Sequence, residues 1–316
     1  MKVDKCSNIS IVIKEIQTIL AVGSIAIDTI ETSHGTRNNI LGGSATYFSL
    51  AASKFAQVKL VGVVGADFPS SAWEMFNTHQ INTDNVQIKT GKTFHWGCRY
   101  SNDFSERETL FTDLGVFKDF LPKIDSEDCK SSLVFLGNIQ PELQLDVARR
   151  AVSAKYIVSD TMNLWIDLCP DMLGDVFAIS QILLINDDEA YQYTGLKDLS
   201  AAANCLHRDG PSIVIIKRGG KGAYLSNAGQ GSFIPAFPIN KLVDPTGAGD
   251  TFAGGLLGYL AQTESPDFIE AVLWGTVMAS FCVESFGINS LLRVSLENFN
   301  NRIAILKDNM LTKKDI

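Results

Sequence analysis

The sequence predicts an α/β protein, a three-layer α/β/α sandwich on a mostly parallel central sheet, with a second, small β-sheet. Three observations predict it. Short apolar runs ending in glycine or a polar residue alternate with helical stretches, the pattern of a parallel sheet covered on both faces. Two segments, about 29–40 and 93–112, break that alternation with hairpin and aromatic-rich patterns. At 316 residues and 46% apolar content, without repeats or low-complexity tracts, the chain can bury a large core.

Ile19–Gly23 reads as the first buried strand, and Asp28 follows at its carboxyl end. Thr29–Ile40 carries a hairpin signal around His34-Gly35, and Leu41-Gly42-Gly43-Ser44-Ala45 opens a helix over Thr46–Phe55. Val58–Val64 is a strand, Gly65-Ala66-Asp67 a turn and helix cap, and Trp73–His79 a helix. Thr93–Phe111 reads as two antiparallel strands around Ser101-Asn102-Asp103 that join the hairpin in the small sheet. The regular alternation follows: strand Leu133–Gly137, helix Pro141–Val152, strand Tyr156–Asp160, then Gln181–Ile185 into Asn186 and Ser212–Ile216 into Lys217. Ile215–Ala223 is strand, glycine turn, strand, and Asp267–Cys282 is a long apolar helix. Ligands bind beyond the carboxyl ends of strands in such sheets, so Asn138 and Asp160–Asn163 are candidate acceptor-side residues.

Composition excludes several classes. A net charge of −8 argues against a nucleic-acid face. Six cysteines at 6, 98, 129, 169, 205 and 282 form no C-x-x-C pair, and there are four histidines, so neither zinc nor a disulfide framework is expected. Scattered thiols fit a reducing cytoplasm. The apolar run Ile9–Ile13 meets Lys14 and Glu15, too short and charged for a signal peptide or membrane span. We read 1–18 as an extension and 19–312 as the domain.

The most informative stretch is Asp244-Pro245-Thr246-Gly247-Ala248-Gly249-Asp250-Thr251, with Phe252-Ala253-Gly254-Gly255 behind it. Small residues let backbone approach a ligand closely. A turn of this kind before a helix aims N–H groups and the positive dipole end at one spot, which suits phosphate. A carboxylate there is not needed for anion binding, so Asp250 implies a proton acceptor beside the phosphate. Two other motifs fail on spacing. Gly91-Lys92-Thr93 has Val86 where a phosphate loop needs glycine, and His207-Arg208-Asp209 has Val214 where a kinase loop needs asparagine.

The Asp244–Gly255 string closely resembles the C-terminal signature of the ribokinase-like (PfkB) carbohydrate kinases, and Gly42-Gly43 resembles the N-terminal one. The resemblance implies an ATP-dependent kinase with a ribokinase-like fold, in which the small sheet is a lid over the active site. It makes Gly247, Ala248 and Gly249 an anion hole and Asp250 the base. It makes Asp28, Gly42 and Gly43 substrate residues, which the strand-end candidate Asn138 would join. Asn186 and Glu189, an N-x-x-E motif, would hold Mg2+ and the triphosphate, Glu189 indirectly through water, with Lys217, Gly219, Gly222 and Thr276 along the nucleotide. A monovalent-cation site such as for K+ is implied near Asp244, Thr246 and Gly287. Tyr47 stands where the family usually has asparagine, and a phenol lacks an amide's paired donor and acceptor.

The expected activity is phosphoryl transfer to an alcohol of a sugar or sugar-like molecule. A nucleoside kinase is the alternative within the superfamily, since Tyr47 and the aromatic lid leave room for a stacked base. The third reading is a catalytically silent ligand-binding relative, against which the intact glycine run and Asp250 argue. No membrane or nucleic-acid partner is expected. The lid's aromatic residues leave three readings open: shielding substrate, a homodimer surface, or ordinary sheet packing. Arg99 and Arg107 are each read as solvated unless they meet an acidic substrate group.

Overall fold

The computed structural model describes residues 17–312. In chain order it contains β1 (Ile19–Val22), β2 (Ala26–Thr32), β3 (Gly35–Gly42), α1 (Ser44–Ala52), β4 (Val58–Gly65), α2 (Ser70–Thr78), β5 (Ile81–Asn82), β6 (Val86–Lys89), β7 (Phe94–Tyr100) and β8 (Arg107–Asp113). There follow β9 (Leu133–Leu136), α3 (Pro141–Arg150), β10 (Tyr156–Asp160), α4 (Asn163–Leu168), α5 (Pro170–Ile179), β11 (Ile182–Asn186), α6 (Asp187–Thr194) and α7 (Leu199–Arg208). The chain closes with β12 (Ile213–Lys217), β13 (Ala223–Asn227), β14 (Gln230–Ile234), α8 (Ala248–Leu260), α9 (Phe268–Cys282), α10 (Asn289–Leu292) and α11 (Leu296–Thr312).

The large sheet runs β14-β13-β12-β11-β10-β9-β1-β4-β5, with β6 also on β4. Neighbours from β12 to β5 pair in parallel, and the β12-β13-β14 edge is antiparallel. The strands are buried on both faces, and period-2 alternation divides them between two cores. In β1, Ile19 and Ala21 enter one apolar cluster while Leu20 and Val22 enter the opposite one. In β11, Ile182 and Leu184 face α8 and α9's cluster, whereas Leu183 and Ile185 join Phe177 and Leu206. Fully burying each such side chain is worth about 1.5–3 kcal/mol, which fixes strand register against one-residue slips.

The second sheet runs β3-β2-β7-β8, with β2 parallel to β7 and the outer pairs antiparallel. The expected hairpin and strand pair are both present. Two details differ from the sequence reading. Asp28 belongs to β2 of the small sheet, beside a register shift between Asp28 and Ile30, because the chain leaves the large sheet at Val22. Asp67 does not cap α2, whose N-cap is Pro69; its carboxylate instead accepts from Thr93 N and Oγ1, both at 2.8 Å. The same bonds account for Thr93 of the discarded phosphate-loop motif.

The extension read over 1–18 lies outside the described residues up to 16, as does Cys6. Gln17 is already docked: its N–H meets Ala261 O at 3.2 Å, and Ser132 Oγ donates to its side chain at 2.7 Å. No helix among the described residues is long and apolar enough to cross a membrane.

Candidate active site

Asp160, Asn186 and Lys217 end the adjacent parallel strands β10, β11 and β12, and Asn186 lies opposite Lys217 in register. The N-terminus of α8 arrives at this edge. Helix α8 begins at Ala248, so the glycine turn is itself the first helical turn. Gly247 is its N-cap at φ 75°, and a Cβ there would lie 2.3 Å from the Tyr47 ring. Only glycine meets both demands. Ala248 N–H turns back to Pro245 O at 3.2 Å, whereas no backbone acceptor takes Gly247 N–H or Gly249 N–H among the described residues.

Asp244 braces this turn from behind. Its two carboxylate oxygens accept from Thr246 N and Gly287 N, both at 2.9 Å. Cys282 Sγ donates to Thr246 O at 3.4 Å. The small sheet reaches the same loop. Tyr100 Oη and Thr246 Oγ1 lie 3.1 Å apart, and His34 Nε2 is 2.9 Å from Leu242 O.

Lys217 Nζ donates to both oxygens of Asp160 at 2.9 Å, and a Cβ on Gly249 would be 3.1 Å from that ammonium. Asp250 lies within this field. Burial first, then the neighbouring Asp160 charge, push its carboxyl up to about 7, against the opposing pull of Lys217. Burial also lowers Lys217, but Asp160, Glu189 and Asp250 outweigh it and hold the ammonium above its ordinary value. Asn186 and Glu189 form a reciprocal capping box on α6, with Glu189 N to Asn186 Oδ1 at 2.8 Å and Asn186 N to Glu189 Oε2 at 2.9 Å. Burial raises Glu189 to about 7. One of its oxygens is spent on the cap.

The glycines of the β12–β13 turn differ. A Cβ at Gly222 would meet Ile234 O at 2.1 Å, so that position is dictated by the sheet edge. At Gly219, φ 53°, a Cβ would meet nothing within 4 Å. Arg218 reaches Asp187 at 3.7 Å, tying this turn to α6.

On the acceptor side, Asp28 is buried behind Gly42, where a Cβ would sit 1.8 Å from Asp28 Oδ2. Gly43, at φ 93°, leaves no room either, with Ser24 O at 2.4 Å from a Cβ. Burial, then Asp244, raise Asp28 to about 8, although the Gly43 N–H opposes them. Asp28 Oδ1 and Tyr47 Oη are both buried without a hydrogen-bond partner among the described residues. Asn138 is elsewhere engaged: Trp165 Nε1 donates to its Oδ1 at 2.7 Å, and its Nδ2 contacts Met162 Sδ at 2.9 Å. Thr276 is buried in α9, beside Gly275, which packs on Phe252 of α8. Arg99 pairs with Glu31 at 2.7 Å and Glu108 at 3.4 Å, while Arg107 lies 5.4 Å over the Trp96 ring.

Sequence reasoning placed Asp160 on the acceptor side; the structure pairs it with Lys217, beside Gly249. The Tyr100–Thr246 contact was missed altogether, because residues 146 apart carry no shared periodicity. Among the described residues, no group of three or more His, Cys, Asp or Glu is arranged to hold a metal ion.

Comparison with known proteins gives a coherent picture. The chain is 32% identical over 249 residues to a cytidine kinase of Thermococcus kodakarensis, covering 76% of this chain and 88% of that protein. The fold matches the crystal structure of the Methanocaldococcus jannaschii nucleoside kinase with a TM-score of 0.75 at 21% identity, covering 91% of this chain and 98% of that one. It also matches an ADP complex of ribokinase from Cryptococcus neoformans, with a TM-score of 0.77 at 22% identity over 90% and 99% of the two chains. The model of the pfkB family carbohydrate kinases matches residues 16–293. With its glycine turn, strand-end charges and small second sheet in the ribokinase-like arrangement, this chain belongs to the pfkB family of carbohydrate kinases, phosphotransferases with an alcohol acceptor.

Proposed function

We propose that the protein transfers the γ-phosphoryl group of ATP to a ribosyl hydroxyl of a nucleoside, with Asp250 as base. The observation carrying the transfer reaction is the half-buried Asp250 carboxyl at a helix N-terminus, beside Lys217 and the open Gly249 amide. A carboxyl raised to about 7 is matched to proton acceptance near neutrality. Phosphoryl transfer has a loose transition state, so positioning and charge neutralisation carry the acceleration. Gly247 and Gly249 amides, with Ala248 more weakly, meet the equatorial oxygens, and Lys217 supplies a buried positive charge. Lys217, Gly219, Gly222, Asn186 and Thr276 border the nucleotide.

The residues fit Mg2+ bound mainly through phosphate oxygens, with the free oxygen of Glu189 reaching it through water. Bound there, Mg2+ would neutralise the developing phosphate charge. Asp244 is a buried carboxylate held by Thr246 and Gly287, which suits a monovalent cation such as K+ beside it.

The nucleoside acceptor is favoured by the 32% identity to a cytidine kinase over 76% of this chain. Trp96 and Tyr100 put aromatic residues on the small sheet, as a stacked base would need, although Arg107 covers one Trp96 face and both rings pack against Ile30, Cys98 and Phe286. Asp28, Gly42 and Gly43 line the acceptor side; Asn138 would join them only by giving up Trp165. A free sugar is the second reading, supported by the family to which the chain belongs. The test is ATP-dependent product formation across cytidine, other nucleosides, ribose and fructose. Turnover confined to free sugars overturns the nucleoside reading, and no ATP turnover with any acceptor overturns both.

A further inference from the structure

We propose that Asp160 is a positioning residue: it clamps the Lys217 ammonium at the mouth of the Gly247–Gly249 loop, so that a fixed positive charge stands where the phosphoryl group passes. The inference rests on the kinase reading above. Lysine is a point charge on a flexible four-carbon stem and does not hold one place unaided. Here two 2.9 Å bonds to Asp160 fix it, and Thr161 N donates to Asp160 Oδ1 at 3.0 Å, fixing the carboxylate in turn. The two side chains come from β10 and β12, strand ends separated by β11, and converge over Asn186. With 16% and 7% side-chain exposure, this is the most buried ion pair among the described residues.

A buried ion pair is commonly no more stabilising than an apolar pair of similar size, so stability alone is a poor account of it. Its placement gives a better one. The ammonium would lie 3.1 Å and Asp160 Oδ2 3.8 Å from a Cβ on Gly249, so the pair fills the space a side chain would take beside the anion loop. A phosphoryl group entering there meets Lys217 already in position and takes over part of Asp160's role as its counter-ion. The charged groups facing Asp250 are Asp160 from β10, Lys217 from β12 and Glu189 from α6, with Asp28 from β2 across the cleft.

The test compares wild type, Asp160→Asn, Lys217→Met and the double variant with MgATP and cytidine. Asp160→Asn and Lys217→Met are each expected to lower kcat by about 10²-fold, the scale of a misplaced catalytic contact. At its own pH optimum the double variant is expected to be no worse than Lys217→Met, because Asp160 acts on turnover there through Lys217, its direct effect on Asp250 being confined to the pH profile. The acid limb of kcat/KM in Asp160→Asn moves to lower pH, since a negative neighbour of Asp250 is gone. Wild-type turnover and pH profile in Asp160→Asn, or losses that simply add in the double variant and track the melting temperature, overturn the proposal. If Asp160→Asn fails to fold, the double variant against Lys217→Met still decides, since neither carries the lone buried ammonium. If wild type phosphorylates no acceptor, the kinase reading fails separately. The clamp is then read from binding, with both single variants expected to weaken MgAMP-PNP but not ADP, and equal affinities overturn it.

Discussion

The two halves of the site are built differently. Around Asp244–Asp250 charged side chains are partnered within the fold, Asp244 by two backbone N–H groups, Lys217 by Asp160, and Asn186 and Glu189 by each other, while the Gly247 and Gly249 amides and Thr251 Oγ1 have no acceptor or donor among the described residues. Across the cleft, Asp28 Oδ1 and Tyr47 Oη are buried and unpartnered. Leaving such groups unmade is costly, on the order of 1–3 kcal/mol each. On the reading proposed above, the difference is that the charges of the donor half are fixed within the fold and leave backbone amides open to an anion, whereas on the acceptor half a carboxylate oxygen and a phenol are left for a ligand's hydroxyl groups.

The largest expected effect breaks the donor half at its base. Asp250→Asn should retain ATP binding and the melting temperature while kcat falls by ~10²–10⁴-fold, the usual worth of a positioned base. Steady-state kinetics check this, and unchanged turnover removes Asp250 from the mechanism. Next come the two turn glycines. Gly219→Ala should cost roughly 1–2 kcal/mol for its left-handed backbone alone. Gly222→Ala should cost distinctly more, because a Cβ there also meets Ile234 O at 2.1 Å. Denaturant unfolding of both variants would show whether the donor turn is as rigid as its partners suggest; equal losses would count against it.

The acceptor half gives a pH signature. Asp28 rises from 3.8 to about 8 on folding, so the folded ligand-free protein binds a proton that the unfolded chain releases. Its contribution to stability is present below pH 3.8 and is lost as pH rises toward 8. Asp28→Asn should therefore flatten that part of the dependence and raise the melting temperature at pH 8 relative to wild type. Melts across this range check the sign, and an unaltered slope would show that Asp28 is already charged. The smallest effect is sharpest on acceptor recognition. Tyr47→Phe removes a hydroxyl that has no internal partner, so stability should hold or rise. If that hydroxyl bonds the acceptor, its KM should rise roughly 3–10-fold while the KM for ATP stays fixed, the worth of one neutral hydrogen bond. An unchanged acceptor KM would assign Tyr47 to supporting Gly247 alone.

Much of the donor half was legible in the chain. The strand-end residues Asn186 and Lys217 follow apolar runs whose lengths mark buried strands, and Gly247–Asp250 advertises its turn by composition. Local signals suffice there, since the elements are regular and the functional residues sit at their ends. The partners were less legible. Asp160 read as an acceptor residue because its strand end was visible while its ion pair, 57 residues away, was not. Asn138 read as available because nothing in the sequence shows Trp165 folding back on it. Asp28 was placed at the end of the first strand because the crossing from the large sheet to the small one, between Val22 and Ala26, leaves no compositional mark.

By itself the sequence determined the layered α/β class, the order of most elements, the segments of the small sheet and the glycine turn before α8. Those depend on periodicity and on small residues at fixed spacing, which are local properties of the chain. Only the tertiary structure decided which charges neutralise one another, which polar groups stay unpartnered, and that Tyr47 lies under Gly247. Those depend on distances between strand ends and helices remote in sequence, and electrostatics and desolvation act on such distances.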